Sequence, residues 1–114
     1  MYARVPTLAD APTPLFNVRT PLGFAVRTTA DYWVLLQRKH REVSGRLEDV
    51  ARCLATPVQV RQSKHDPAVY LFYRALAPYH LCVVVKRLDG EGFIITCYLT
   101  DAIKEGIPIW PTSE

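Results

Sequence analysis

Residues 68–100, AVYLFYRALAPYHLCVVVKRLDGEGFIITCYLT, constrain this chain more than any other stretch. Three runs rich in Val, Ile, Tyr and Phe are separated by Ala77-Pro78 and by Asp89-Gly90-Glu91-Gly92. Such residues fit a pleated, half-buried surface, and Asp-Gly is a tight-hairpin signal because Gly tolerates positive φ. The stretch predicts an antiparallel three-stranded meander. Thr96 and Tyr98, two positions apart on its last strand, share one face. Lys86 lies near the turn end of the middle strand, and Tyr73 and Arg74 close the first.

Upstream, residues 58–63 (VQVRQS) alternate, with Val58 and Val60 on one side and Gln59, Arg61 and Ser63 on the other. Lys64-His65-Asp66-Pro67 turns this run into the meander. Two amphipathic helices precede it. In residues 30–40, Tyr32, Trp33, Leu35 and Leu36 fall on one helical side, behind Thr28 or Thr29 as N-cap and Asp31 in the first turn. In residues 42–55, Val43, Leu47, Val50 and Leu54 recur at helical spacing until Pro57 ends the run. A hairpin over residues 14–29 turns at Thr20-Pro21-Leu22-Gly23, and the pattern leaves open whether it joins the main sheet or stands apart. After Thr100 a short helical turn is expected over residues 102–105. Residues 107–110 then offer apolar groups to dock on the sheet or cover an edge.

The expectation is an α+β fold: an N-terminal hairpin and two helices packed on one face of a four-stranded antiparallel sheet. Residues 1–13 read as a lead-in and residues 14–114 as a single domain. The other sheet face is left for solvent or ligand.

The 114 residues carry a net charge of +3, and of the 14 basic residues ten are Arg and four are Lys. Arg suits two-pronged phosphate recognition, which tilts the reading toward an anionic partner. No apolar run approaches the roughly 20 residues of a membrane helix, and no secretory signal is read, so a cytoplasmic protein without a membrane partner is expected. Cys53, Cys82 and Cys97 lie in apolar contexts without metal spacing and read as buried free thiols, with a nucleophilic Cys as the alternative. No metal and no cofactor is expected.

The polar residues expected on the open face are His40 from the helix end, Arg61, Ser63, Tyr73, Arg74, Lys86, Thr96 and Tyr98. They comprise cations for phosphate, hydroxyls for hydrogen bonds and an imidazole of a type that moves protons near neutral pH. RNA cleavage without metal needs those parts.

From residue 57 onward the string PVQVRQS, then DP, VYLFYR, LCVVVK and GFIITCYLTD, ending in Ile109-Trp110, resembles the phage-associated Barnase–EndoU–colicin–RelE-like nuclease domains. Trp33, Lys39-His40 and Gly45-Arg46-Leu47 resemble the helical part of that family. The resemblance implies a barnase/RelE-like fold and a toxin-like, metal-independent endoribonuclease. It implies His40, Lys86, Thr96 and Tyr98 as the catalytic set. Arg61 enters as substrate-binding, joined by Ser63, Tyr73 and Arg74 from the face itself. Two positions depart from the family: His40-Arg41-Glu42 stands where His-Pro-Glu is usual, and Cys97 where a small residue is commoner. RNA is the expected partner, with a protein inhibitor or partner beside it. The competing expectation is a non-catalytic protein-interaction or RNA-binding module of the same fold.

Overall fold

The computed structural model describes residues 14–112; the lead-in at residues 1–13 lies outside them. Strands β1 (Pro14–Arg19) and β2 (Ala25–Thr29) form the hairpin. Its turn is fastened by the Gly23 N–H on the Thr20 carbonyl, 3.2 Å, and the Thr20 hydroxyl on the Phe24 carbonyl, 2.9 Å.

Helix α1 (Ala30–Lys39) follows at once. The Thr29 hydroxyl accepts the Tyr32 N–H at 3.2 Å and Asp31 faces the positive end of the helix dipole. Trp33 and Leu36 are buried, whereas Leu35 remains 44% exposed, so the inward stripe is narrower than the spacing implied. The second helical stretch is divided. A 3₁₀ turn (Arg41–Val43) is followed by α2 (Leu47–Ala55), and the chain leaves helical geometry between them. Val43, Val50, Cys53 and Leu54 are fully buried.

Four strands come next: β3 (Gln59–Gln62), β4 (Val69–Leu76), β5 (Tyr79–Leu88) and β6 (Glu91–Thr100). The β5–β6 turn sets φ to 51° at Asp89 and 82° at Gly90, the double positive pair of a two-residue hairpin. The last strand is β7 (Ile107–Trp110).

The expected four-stranded antiparallel sheet is overturned. Among the described residues there are seven strands in one mixed sheet, in the order β1-β2-β6-β5-β4-β3-β7. The hairpin does not stand apart: β2 docks parallel on β6, Val26 beside Gly92 and Arg27 beside Phe93. At the other edge β7 pairs antiparallel with β3. Periodicity marks strands but not which edge they join, so two edge additions escaped the count.

The helical turn expected over residues 102–105 is likewise replaced by an extended strap. From β6 to β7 the chain must cross four strand spacings, about 19 Å. The six residues between them, coiled as a helix, would span only about 9 Å. Gly106 completes the crossing at φ +81°, where an added Cβ would lie 2.7 Å from the Gln62 carbonyl oxygen.

The strands alternate between two faces. Val26, Val60, Phe72, Leu81, Val83, Val85, Ile94 and Cys97 point to the helices and close the main core with Trp33, Leu36, Val50 and Leu54. Leu71, Tyr73 and Cys82 form a smaller cluster on the far face, joined by Val84, Tyr98 and Ile103 from the strap. The far face is therefore strapped over its middle and not left wholly open.

Candidate functional site

The site is built on β6. Where β2 ends, the free edge of β6 is taken over by α1 and the 3₁₀ turn. The Tyr32 hydroxyl donates to the Ile95 carbonyl there. This places His40, the C-terminal cap of α1, beside the strand; its N–H bonds the Leu36 carbonyl at 2.8 Å. The imidazole lies 6.4 Å, ring centre to ring centre, from Tyr98. Its Nδ1 is 3.6 Å from a Glu42 carboxylate oxygen, both side chains being partly exposed. That separation is too long for a hydrogen bond and makes an ion pair only with the protonated ring.

Thr96 and Tyr98 share the far face, opposite Val84 and Cys82 on β5. Lys86 lies on the same face, paired across β5–β6 with Phe93, one step beyond the Thr96–Val84 pair. Its ammonium is 3.1 Å from an Asp66 carboxylate oxygen. Asp66 accepts the Ala68 N–H at 2.9 Å, and this bond, then Lys86, holds its carboxyl below the ordinary range.

The remaining expected residues are dispersed. Tyr73 is on the far face but only 1% exposed. Arg61, opposite Leu71, is spent on the strap: its guanidinium donates to the Gln59 side chain and, at 3.3 Å, to the Gly106 carbonyl. Ser63 lies past the end of β3, where its hydroxyl accepts the His65 N–H at 3.1 Å. Arg74 points to the helix face and donates to the Thr56 carbonyl. Tyr73 and Arg74 are adjacent, so a strand necessarily sends them to opposite sides.

Under the strap, the Cys82 thiol sits between the phenols of Tyr73 and Tyr98. Burial pushes this thiol up to about 11, against the two tyrosine hydrogen bonds that lower it. Burial, with the neighbouring thiol and then the Glu105 carboxylate, pushes both phenols well above the ordinary tyrosine value. Tyr98 is thus a protonated hydrogen-bond donor at any physiological pH. The Cys97 thiol, in the helix-face core, is pushed up by burial to about 12.

Two residues went unremarked in the sequence. Phe93 and Arg27 stand beside Lys86 on the far face, with the Arg27 guanidinium carbon 4.9 Å from the Phe93 ring centre. Strict alternation from Thr96 would turn Phe93 toward the helices. A bulge, at the register shift between Val84 and Val85, inserts one residue into β6 and reverses that parity. Ile95 is left 38% exposed.

A shallow hollow of ≈ 400 Å³ lined by Val34, Gln37, Arg38, Arg41 and Ser44 shares no residue with this site. Among the described residues, no group of three or more His, Cys, Asp or Glu side chains is gathered as metal ligands would be, and no helix is long and apolar enough to cross a membrane. Comparisons of the chain with protein-family models, with curated proteins and with solved structures find no match, so the site is read from its own geometry.

Proposed function

We propose that the chain is a metal-independent endoribonuclease that cleaves RNA by attack of a 2′-hydroxyl on the adjacent phosphate. The observation that carries this reading is the His40 ring held 6.4 Å from the Tyr98 ring at a partly exposed strand edge. The pair sets a group able to take a proton beside one able to give a proton, the two roles this cleavage requires.

In the step proposed, His40 accepts the 2′-hydroxyl proton while Glu42, at 3.6 Å, steadies the imidazolium that forms. The 2′-oxygen–phosphorus bond forms and the phosphorus–5′-oxygen bond breaks, giving a 2′,3′-cyclic phosphate and a 5′-hydroxyl. The Tyr98 phenol gives its proton to the leaving oxygen. The imidazolium returns a proton to the phenolate through water, which restores both groups. The Thr96 hydroxyl donates to a non-bridging oxygen, and Lys86 counters the charge that develops there. Lys86 would exchange Asp66 for phosphate at little cost, because an exposed ion pair contributes only about 0–1 kcal/mol.

The test is incubation of an end-labelled oligoribonucleotide with purified protein and excess chelator. Cleavage with cyclic-phosphate ends is expected, with loss of about 100-fold or more in His40→Ala and in Tyr98→Phe, and none at a 2′-deoxy position. RNA left intact refutes the reading. The Lys86–Asp66 pairing favours a second reading, an RNA-binding module without turnover. Salt-dependent binding with no cleavage would select it.

A further inference from the structure

The docking of β2 on β6 creates a feature that neither hairpin nor meander has alone. At one level of the sheet, three adjacent strands present Arg27, Phe93 and Lys86 side by side on the far face. We propose that this row is a platform for single-stranded RNA, stacking one unpaired base on Phe93 and Arg27 and holding its flanking phosphates with Arg27 and Lys86. The ligand class rests on the ribonuclease reading above; the platform supplies the nucleotide next to the scissile bond, because Thr96 is the next far-face residue along β6.

Four observations support it. Phe93 is half-buried on this face, while Phe24 and Phe72 are in the core. Its ring meets a planar guanidinium at 4.9 Å, and a flat cation with an aromatic ring is the surface on which bases stack. Both cations are only lightly held, Arg27 by Glu91 at 3.5 Å and Lys86 by Asp66 at 3.1 Å, with all four side chains 39–56% exposed. Phosphate displaces such carboxylates easily. The row also lies beyond the strap, whose contacts are with Leu71, Tyr73, Cys82 and Arg61. A duplex hides the faces of its bases, so a stacking platform selects single strands or splayed loops.

The experiment uses the full chain carrying His40→Ala, which stops turnover, and measures fluorescence anisotropy of a labelled 12-nucleotide oligouridylate and of a 12-base-pair RNA duplex across a salt series. Single strands are expected to bind more tightly than duplex. Phe93→Leu should weaken single-strand binding about tenfold or more, and Phe93→Trp should restore it. Arg27→Gln should reduce the slope of log affinity against log salt by about 0.7, one phosphate contact. Thermal melts of each variant establish that it is folded. Binding unchanged in Phe93→Leu and Arg27→Gln overturns the platform while leaving the ribonuclease reading standing, as does duplex bound as tightly as single strand. Phe93-dependent binding by a wild-type chain that never cuts RNA supports the platform and sinks the nuclease. RNA neither bound nor cut overturns both.

Discussion

Gly92→Ala tests the junction on which the seven-stranded sheet depends. Gly92 lies opposite Val26 where β2 meets β6. A Cβ there would come 2.8 Å from Val26 Cγ2, 2.9 Å from Phe24 Cε1 and 3.0 Å from Val85 Cγ1. Carbon atoms in a packed interior sit about 3.5–4.0 Å apart, so each neighbour must retreat by about 0.5–1 Å. They have little room, since Val26 and Val85 are fully buried, Phe24 is 2% exposed, and β-branched side chains are stiff at χ1. Overpacking of this kind costs about 1–3 kcal/mol, and three rigid neighbours place it in the upper half. Reduced freedom of the unfolded chain offsets about 0.4–1 kcal/mol, leaving a net loss of about 2 kcal/mol. For a domain of this size that lowers Tm by about 10 °C. Thermal unfolding followed by circular dichroism reads it directly. The double variant with Val26→Ala, which removes the closest methyl, should lose about 1 kcal/mol less than the two single losses summed. A melt within about 2 °C of wild type, or strictly additive losses, would refute the packing argument and with it the close approach of β2 to β6.

Acid stability should carry the signature of Asp66. Its folded carboxyl titrates below the ordinary value, so its contribution is present above the unfolded pKa, about 3.9, and is lost as pH falls below that. Asp66→Asn should flatten that acid limb in a plot of urea midpoint against pH; an unchanged limb excludes the Ala68 and Lys86 contacts as its source. The three thiols should be silent in the folded protein at pH 8 and all react with dithionitrobenzoate once urea unfolds it, because burial raises each of them and leaves no reactive thiolate. Rapid labelling of Cys82 under native conditions would mean that the strap does not stay closed.

Local pattern carried a good deal of this molecule. The alternation of Val60 against Gln59 and Arg61, the Asp89-Gly90 turn and the 3.6-residue recurrence through Val50 and Leu54 correspond to β3, the β5–β6 hairpin and α2, whereas Val58, expected inward beside Val60, precedes β3 and is 49% exposed. Each is a short-range signal in which neighbouring residues report their own geometry. The candidate site was legible only in part for the same reason. Thr96 and Tyr98 share a face by period alone, whereas the reach of His40 to Tyr98 depends on a helix lying along a strand edge 58 residues away in sequence. Arg61 and Tyr73 were expected on an open face, but the strap engages one and buries the other.

The amino-acid sequence by itself determined the hairpin, the cores of α1 and α2, the strands of the meander and which side chains are charged. Tertiary structure alone decided that the hairpin docks in parallel beside Gly92, that a bulge turns Phe93 outward, and that residues 101–106 cross the far face. The reason is physical: strand and helix periods are set by adjacent residues, whereas edge pairing, bulge parity and crossover path are set by contacts between segments whose separation along the chain leaves no periodic trace.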